Sequence, residues 1–369
     1  MQPPDGQEIT GIGEVFLHRY ALPYHRPVRW AGGGEDSAEF LLLRLRTRDG
    51  REGAAEVVAK PTWNGFDGAT MAFAFERLVL PLLGLSPEAR AQGLSRLVEM
   101  HAPKAFLENA LADLAHPASD SKRRIPVSIT LTRAAPEAMA GEAREQIAMH
   151  GFGTFKVKGG QGLATDIAAV QAVREAAGGD AAIYVDVNAG LTCEETASYM
   201  SEMAKVGVIA VEDPYNLKPD PRLTEIARSS AIPLITDFSL DGVSSATAFL
   251  SLGATGLSIK VSRFGLRKAL LMADLAAKAS AVIVAGLFGE SQAGALHVLD
   301  LHAGLPTDAR VLPAEATSFL LMRDHVLKAP LSISGGHIER PEGNLAALLD
   351  HERIERFAVA PTRKWTIPA

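Results

Sequence analysis

The sequence of 369 residues contains a single cysteine, Cys193, which excludes an intrachain disulfide and any metal site built from several cysteines. One unpaired thiol is typical of a reducing compartment, so a cytoplasmic location is expected. An excess of positive charge is also missing, because 37 Lys and Arg residues stand against 43 Asp and Glu residues, for a formal net charge of −6. This balance gives no electrostatic reason to expect a nucleic acid or a membrane surface as a partner.

Long apolar runs are missing as well. The most apolar stretch, KASAVIVAGLFGESQAGALHVL, is interrupted by Glu290 and several glycines, so its continuous part is too short to cross a bilayer. The N-terminal segment MQPPDGQEITGIGEV lacks the basic and apolar regions of a signal peptide, which favours a mature start. The 47% of hydrophobic residues is enough for one large barrel or for two domains.

Eight short runs rich in Val, Ile and Leu alternate with amphipathic helical segments in the second part of the chain. Continuous apolar runs predict strands that are buried on both faces, as in a parallel sheet covered by helices. Eight such units predict an α/β fold with a TIM-type (β/α) barrel, of a modified kind for which (β/α)7β is one possible form. The strands are predicted to start near Ile125, Thr154, Ala182, Val208, Ile232, Gly256, Ala281 and Arg310.

The two ends of the chain predict a separate α+β capping domain. Residues 1–124 contain a predicted hairpin around Asp49 and Gly50, followed by helical segments. The tail, residues 330–369, contains short strand-like pieces that are expected to fold back onto this N-terminal region. Residues 125–329 then form the barrel with the metal and lysine site.

Two aromatic loops of this cap are candidates for walls of the barrel mouth. They are RPVRWAGGGED around Trp30 and KPTWNGFDG around Trp63. Lid loops commonly supply side chains that contact substrate and exclude water. The alternative is that both tryptophans anchor the core of the small domain, because large aromatic side chains are often buried for packing alone.

Three acidic residues end three consecutive predicted strands, namely Asp186 in AAIYVDVNAG, Glu212 in VIAVEDP and Asp237 in IPLITDF. They are 26 and 25 residues apart, which is about the length of one strand, one helix and two loops in a βα barrel. Neighbouring strand ends would therefore hold the three carboxylates around one point. Hard oxygen ligands suit Mg²⁺ better than zinc, which favours nitrogen and sulfur.

Three lysines accompany these carboxylates. Lys156 and Lys158 in TFKVKGG are two residues apart on one strand, so their side chains point to the same face. Lys260 in GLSIKVSRFG ends another apolar run, 23 residues beyond Asp237. A lysine inside a barrel is costly unless it is paired or used in chemistry. Beside a divalent cation and other lysines its ammonium form is disfavoured, so it can act as a base near neutral pH.

The order KVK, DVN, VEDP, TD and SIK at strand ends resembles the enolase superfamily, in particular the two-lysine branch of its mandelate racemase and muconate lactonizing enzyme family. The resemblance covers nearly the whole chain. It implies that Asp186, Glu212 and Asp237 bind Mg²⁺, with Mn²⁺ as a possible substitute, and that Asn188 supports the metal site.

The same resemblance gives roles to the remaining candidates. Lys158 and Lys260 would be bases on opposite faces of the substrate, and Lys156 would bond the substrate carboxylate. Glu290, in the seventh-strand segment LFGESQAGALH, would lie at the pocket edge. It would be either a substrate contact or a buried partner of Lys260.

The reaction implied by the resemblance is the Mg²⁺-dependent removal of the proton next to a carboxylate, through an enediolate intermediate. Racemisation, epimerisation or cycloisomerisation of a small carboxylic acid or amino-acid derivative is favoured, with dehydration of an acid sugar or hydroxy acid as the alternative. A class I aldolase-like barrel would not need three strand-end carboxylates, and a non-catalytic binding barrel would be expected to lose a ligand or a lysine. The expected assembly is a homo-oligomer.

Three departures from the family pattern concern the substrate. Phe238 follows Asp237 where the family usually has Glu, so the neighbouring hydrogen bonds must differ. No His ends the seventh strand, which argues against the mandelate racemase branch. The eighth strand, LPAEATSF, lacks the Asp-x-Asp of dipeptide epimerases. These changes leave the expected chemistry in place and the substrate open.

Overall fold

The computed structural model describes residues 11–30, 33–115 and 123–368, with side chains at all of these except 29, 30 and 33. The strands are β1 Ile12–Trp30, β2 Gly33–Thr47, β3 Glu52–Val58, β4 Arg123–Pro126, β5 Ile129–Leu131, β6 Thr154–Lys158, β7 Ala182–Asp186, β8 Val211–Glu212, β9 Leu234–Thr236, β10 Gly256–Lys260, β11 Val282–Gly286, β12 Arg310–Val311, β13 Ile333–Ser334, β14 His337–Arg340 and β15 Ala358–Thr366. The helices are α1 Pro61–Asn64, α2 Gly68–Ala74, α3 Pro87–Ser95, α4 His101–Ala115, α5 Pro136–His150, α6 Leu163–Ala177, α7 Cys193–Lys205, α8 Pro221–Ser229, α9 Val243–Ser251, α10 Val261–Phe264, α11 Leu266–Lys278, α12 Gln292–Ala303, α13 Leu345–Leu348 and α14 His351–Arg356. Within these ranges, no helix combines the length and the apolar character that a membrane span requires.

Strands β5 to β12 form one parallel eight-stranded sheet in sequential order. A parallel bridge between Val127 and Ala314 joins its two ends. There the amide of Ser128 donates to the carbonyl of Ala314 at 3.0 Å, and the amide of Ala314 donates to the carbonyl of Pro126 at 2.8 Å. Helices connect each strand to the next, while β12 is followed by the 3₁₀ turn Ser318–Leu321. The predicted modified barrel is confirmed, in its (β/α)7β form.

Alternation along the barrel strands separates an outer core from the barrel interior. On β7, Ile183 and Val185 belong to the large core beneath the helices. Tyr184, between them, belongs instead to a small inner cluster with Ile235 and Val284. Because neighbouring side chains point to opposite faces, Asp186 follows Tyr184 into the interior, one step nearer the carboxyl end of the sheet. The interior is therefore apolar at one end and acidic at the other.

The cap is built from both ends of the chain. Its antiparallel sheet has the strand order β15-β1-β2-β3, and helices α2 and α4 pack on it around Leu43, Phe75 and Phe106. The predicted hairpin is present, with β2 and β3 joined through Asp49 and Gly50. Gly50 has a φ of 88°, in the left-handed region that glycine adopts at low cost.

The tail folds back onto two different places, and the sequence pattern did not show which part of the tail goes to which place. The strand-like pieces after residue 330 form β13 and β14, and β14 pairs with β4, the short strand that precedes the first barrel strand in the chain. The later strand β15 is the one that joins the N-terminal sheet. The first predicted barrel strand is thereby divided, since Arg123–Pro126 pairs with β14 and the barrel ladder begins at Ile129. The domain boundaries at 124/125 and 329/330 stay a prediction.

A buried carboxylate connects the cap to the barrel. Glu56 on β3 accepts hydrogen bonds from the backbone amides of Ser291 and Gly294, at 2.9 and 3.1 Å, at the start of α12. The hydroxyls of Tyr20 and Ser291 also donate to it. Burial raises the pKa of Glu56 to about 7, against these stabilising hydrogen bonds and with a further contribution from the negative charge of Glu290. The cap therefore contributes the carboxylate that caps a barrel helix.

We expect the stability of the protein to fall as Glu56 ionises. Since its folded pKa lies above the ordinary value of 4.5, the folded state binds the proton more tightly, and stability present below pH 4.5 is lost as the pH rises to about 7. The loss is up to about 3 kcal/mol. In Glu56→Gln this component disappears, so urea unfolding at pH 5, 6, 7 and 8 should show a flatter profile than in the wild type. Parallel profiles for the two proteins would show that Glu56 titrates normally.

Candidate active site

The three predicted carboxylates meet at the carboxyl end of the barrel. Asp186 and Glu212 are the last residues of β7 and β8, and Asp237 directly follows β9. In the parallel ladder Asp186 pairs with Glu212 on one side and with Lys158 on the other. All three acidic side chains are buried. The order of the strands thus brings together residues that are 51 positions apart in the chain.

Lys156 lies at the centre of this group, deeper than the other lysines. Its ammonium group is 2.9 Å from both carboxylate oxygens of Glu212, 3.2 Å from Asp186 and 2.8 Å from Glu315. Burial acts to lower the pKa of Lys156, but Glu212, Glu315 and Asp186 outweigh it and hold the pKa well above its ordinary value. A permanently charged Lys156 holds the carboxylates together. Its predicted contact with a substrate carboxylate stays a prediction.

Lys158 and Lys260 contact different carboxylates on opposite sides of the group. The ammonium group of Lys158 is 2.6 Å from Asp186 and 3.1 Å from the side-chain oxygen of Asn188. The ammonium group of Lys260 donates to Asp237. Their strands, β6 and β10, are the second and the sixth of the eight, so they lie half-way around the barrel from each other.

Asn188 supports Asp186 from the loop that follows β7. Its backbone amide donates to the carboxylate of Asp186 at 2.9 Å, while its side chain accepts from Lys158. The residue has a φ of 51°, a left-handed conformation that Asn tolerates better than most residues. This backbone conformation places both groups of Asn188 on the same carboxylate–lysine pair.

Two further acids complete the site, and neither was singled out from the sequence. Glu315, just beyond β12, is buried, and the hydroxyl of Tyr184 donates to it at 2.7 Å. The carboxylate of Asp213 accepts hydrogen bonds from the backbone amides of Asp237 and Phe238, at 3.0 and 2.7 Å. The only sequence signal for Asp213 was its place beside Glu212 in VEDP, and for Glu315 its place at the end of the eighth apolar run.

The group of acids carries more negative charge than its lysines neutralise. When all are ionised, the carboxylates outnumber the ammonium groups by two; they are Asp186, Glu212, Asp213, Asp237 and Glu315 against Lys156, Lys158 and Lys260. Burial, together with the charges of Asp186, Glu315 and Asp237, raises the pKa of Glu212 well above its ordinary value in spite of Lys156. Burial also raises the pKa of Asp213 to about 7, with Asp237 as the main charged neighbour. A divalent cation would balance this excess.

The residues fit a divalent cation in their donor chemistry. The three strand-end carboxylates offer hard oxygen ligands, and the Oδ1 atom of Asp237 is buried without a hydrogen-bond partner among the described residues. No three Asp, Glu, His or Cys side chains in the described ranges already stand at the spacing of a preformed metal site. The reason is visible in the ion pairs, since Lys158 and Lys260 contact carboxylate oxygens that a cation would take.

Glu290 has partners of its own near the mouth. The hydroxyl of Ser262 donates to its carboxylate at 2.6 Å, and the backbone amides of Phe288 and Gly289 donate at 2.8 and 3.0 Å. Lys260 forms its buried ion pair with Asp237, whereas the hydrogen bonds of Glu290 stabilise the loop after β11. A direct contact of Glu290 with substrate stays a prediction.

Phe238 gives the mouth an apolar wall where the family usually has Glu. Its side chain is 59% exposed, and the guanidinium of Arg263 is 5.9 Å from its ring centroid. A second ring, that of Phe288, lies 4.7 Å from the ammonium group of Lys260. The polar contacts of this loop are made by Asp213, which accepts from the amide of Phe238, and by Arg263, which donates to the carbonyl of Leu240 at 3.0 Å.

Of the two predicted lid tryptophans, only Trp63 has a described side chain. It lies in α1, is 42% exposed, and has Lys60 5.6 Å from its ring centroid. A Cβ atom added to Gly289 would be 3.9 Å from its ring, so Trp63 borders the loop after β11. The side chain of Trp30, at the end of β1, lies outside the described residues. The substrate contacts of both tryptophans stay predictions.

If Trp63 forms a wall of the site, Trp63→Ala should change KM or substrate preference severalfold while the free energy of unfolding falls by less than about 1 kcal/mol, because the ring is already half exposed. The matched control is Phe106→Ala in the core of the cap, which should cost about 3–5 kcal/mol. Urea unfolding and initial rates measure both effects. A loss of stability for Trp63→Ala as large as that of the control would make Trp63 a packing residue.

Known proteins resemble this chain over most of its length. Residues 138–344 match the protein family described as enolase C-terminal domain-like. The chain is 26% identical to a chloromuconate cycloisomerase of Cupriavidus necator over 364 residues, which cover 92% of this chain and 96% of the relative. It is 24% identical to an N-succinyl-L-Arg/Lys racemase of Bacillus cereus over 275 residues, 69% of this chain and 73% of the relative.

A solved structure of similar fold extends the comparison to the cap. The muconate lactonizing enzyme of Mycobacterium smegmatis, complexed with muconolactone, superimposes with a TM-score of 0.85 at 26% identity, covering 95% of this chain and all of that one. The match therefore includes the capping region as well as the barrel. The chain belongs to the enolase superfamily, within its mandelate racemase and muconate lactonizing enzyme family, and the isomerase class predicted from its sequence is the class of these relatives.

Proposed function

We propose that the protein is a Mg²⁺-dependent racemase, epimerase or cycloisomerase that removes the proton next to the carboxylate of a small acid or amino-acid derivative. The observation that carries the proposal is the position of Lys158 and Lys260. They lie half-way around the barrel from each other, and each contacts a different carboxylate of the same group. Two proton-transfer groups facing one point from opposite sides suit a reaction in which a proton leaves one face of a carbon and returns to the other.

The residues of the chain have distinct tasks in this mechanism. Asp186, Glu212 and Asp237 would hold the Mg²⁺ ion. When bound, the ion supplies positive charge against the negative charge that develops on the substrate carboxylate as the proton leaves. In racemisation or epimerisation, one lysine in its neutral form accepts the α proton at its Nζ atom. The other, as an ammonium group, returns a proton to the opposite face of the enediolate. In lactone formation, by contrast, a carboxylate of the substrate adds to the double bond, and a lysine ammonium group supplies the proton that the α carbon gains.

Lys156 and Phe238 define the surroundings of the reaction. The three carboxylate contacts of Lys156 keep it charged and fixed, so it orients the acids instead of exchanging protons. The ring of Phe288 borders Lys260, and the exposed ring of Phe238 lies beside Arg263, so the two rings would exclude water from this part of the mouth. A substrate with an apolar group beside its α carbon fits this wall.

The test is hydrogen exchange in deuterium oxide with MgCl₂ in large excess over the protein. The probes are cis,cis-muconate and N-succinyl-L-lysine, which correspond to the muconate lactonizing enzyme and the N-succinyl-L-Arg/Lys racemase that the chain resembles. Proton NMR should show loss of the α-proton signal, or lactone formation from muconate, that stops in excess chelator. Full activity in chelator would overturn the metal assignment, and a lack of any reaction with both probes and with related acids would overturn the substrate class.

Dehydration of an acid sugar or a hydroxy acid on the same scaffold is the alternative from the sequence. It shares the first proton transfer, and it would be recognised by a 2-oxo acid product that reacts with semicarbazide. The location in the cytoplasm and the homo-oligomeric state also stay predictions.

A further inference from the structure

A cavity of about 310 Å³ lies outside the catalytic group, between the cap and the barrel. Helix α4 of the cap lines one side with His101 and Lys104. The barrel lines the other side with Arg263 in α10, and with Arg267 and Lys268 at the start of α11. The volume is at the lower end of the range for small-molecule sites. Five basic side chains from two parts of the chain thus converge on one space.

Few of these basic groups have acidic partners. Lys268 contacts Glu108 at 3.2 Å. The ammonium group of Lys104 donates to a backbone carbonyl, that of Leu97, at 2.8 Å. No hydrogen bond or ion pair of the Arg267 side chain is found with any described residue.

Among the described residues, the hydrogen bonds of Arg263 go to backbone carbonyls, those of Asp237, Phe238 and Leu240, and its nearest acidic side chains are Asp237, Asp213 and Asp241. The cavity itself contributes one carboxylate, Asp241. Counting the side chains that line the cavity and the ion-pair partner Glu108, four basic groups (Lys104, Arg263, Arg267 and Lys268) exceed the two acids by two, while Asp213 and Asp237 belong to the catalytic group. The lining of the cavity therefore has a surplus of positive charge, which is greatest at Arg267, the side chain for which no hydrogen bond or ion pair is found among the described residues.

The electrostatic consequences are consistent with this surplus. Burial and the charge of Lys268 lower the pKa of Lys104. Burial, Lys104 and Arg263 lower the pKa of His101, although Asp241 acts in the opposite direction. Helices α9 and α11 also begin at this cavity, and the partial positive charge of a helix N-terminus has the same sign. Apart from Asp241 and Glu108, the charges around the cavity favour an anion.

We propose that this cavity binds a small multivalent oxyanion, namely inorganic phosphate or the phosphate group of a small metabolite. Two negative charges match the surplus of two positive charges, and guanidinium and ammonium donors are the groups that bind phosphate oxygens in proteins. A bound anion would contact α4 of the cap together with α10 and α11 of the barrel. It would therefore strengthen the contact between the two parts of the molecule. The proposal does not depend on the proposed reaction.

The test uses inorganic phosphate as the probe and the full-length protein in excess chelator, so that phosphate cannot act through a metal ion. The melting temperature should rise with phosphate more than with sodium chloride at equal ionic strength, and calorimetric titration should give a saturable isotherm. Arg267→Gln should weaken phosphate binding at least about tenfold, because it removes a charge-assisted hydrogen bond. The matched control, Lys278→Gln, removes one exposed charge from the other end of α11 and should bind phosphate as the wild type does.

The double variant Lys104→Gln/Arg267→Gln should lose the phosphate response altogether. Since both side chains are on the surface of the cavity and make no ion pair, the folded protein is retained, which far-ultraviolet circular dichroism verifies. Equal shifts with phosphate and chloride would overturn the proposal. So would an unchanged phosphate response in the double variant, or a change of oligomeric state in that variant without phosphate binding, which would make the cavity a contact between protein subunits. A phosphate monoester that binds more tightly than inorganic phosphate would identify the small-metabolite form of the ligand.

Discussion

Lys158→Ala and Lys260→Ala are each expected to lower turnover by about two to four orders of magnitude, the range for loss of a positioned general acid or base. If the reaction is a two-base racemisation, the two variants should fail in complementary ways. In deuterium oxide, each should still exchange the α proton of one stereoisomer and not that of the other. The reason is geometric, because the two lysines lie on opposite sides of the carboxylate group, so each would reach only one face of the substrate.

Proton NMR of the separate enantiomers gives this measurement directly. The control is Lys278→Ala, which removes an exposed lysine far from the barrel mouth and should leave both exchange rates unchanged. Lys158→Gln and Lys260→Gln, which keep a polar group beside Asp186 and Asp237, serve as second variants if alanine impairs folding. If one lysine supports all exchange, the reaction is a one-base cycloisomerisation or dehydration. If neither variant changes exchange, the two-lysine mechanism is wrong.

Glu212→Gln should abolish turnover and Mg²⁺ binding while leaving the metal-free protein at least as stable as the wild type. The opposite signs follow from the charge surplus of the site. Because the pKa of Glu212 is raised, its negative charge destabilises the metal-free fold. Glutamine removes this charge, while its side-chain oxygen still accepts a hydrogen bond from Lys156. The same change removes one of three ligands from the metal site.

Thermal unfolding with and without MgCl₂ separates these two effects. The melting temperature of the wild type should rise with Mg²⁺, since a ligand that binds only the folded state stabilises it, and that of Glu212→Gln should not. Asp186→Asn and Asp237→Asn should behave similarly, with loss of activity. A Mg²⁺-dependent rise that survives in all three variants would place the metal elsewhere.

The residues that were predictable from the sequence are those fixed by local pattern. Asp186, Glu212 and Asp237 each end an apolar run, and a parallel strand that ends in the barrel interior brings its last side chain to the common mouth. The spacing of Lys156 and Lys158 fixed their shared face in the same way. The lengths of the strands were harder to predict from the sequence. The run predicted from Val208 forms a ladder only at Val211–Glu212, because hydrophobicity reports burial and not hydrogen bonding.

The remaining features depend on partners that are distant in the chain. Glu56 is bound by Ser291 and Gly294, more than 230 positions away, and nothing in EGAAEVV distinguishes it from an exposed glutamate of an alternating strand. Glu290 is held by Ser262 and by backbone amides of its own loop, whose geometry is a tertiary property. The role of Lys156 as a charged centre of three acids likewise needed the position of Glu315, which only barrel closure provides.

The pairing of β1 with β15 has a consequence for synthesis on the ribosome. Glu14 lies opposite Thr366, so the antiparallel sheet of the cap acquires its outer strand only when residues 358–366 emerge. Until then β1 has an exposed edge, and such edges recruit other chains. The barrel, whose strands pair in order of their appearance, is free to fold earlier. A nascent chain stalled before Ala358 would therefore contain all strands of the barrel, while the cap sheet would lack its outer strand and be prone to aggregation.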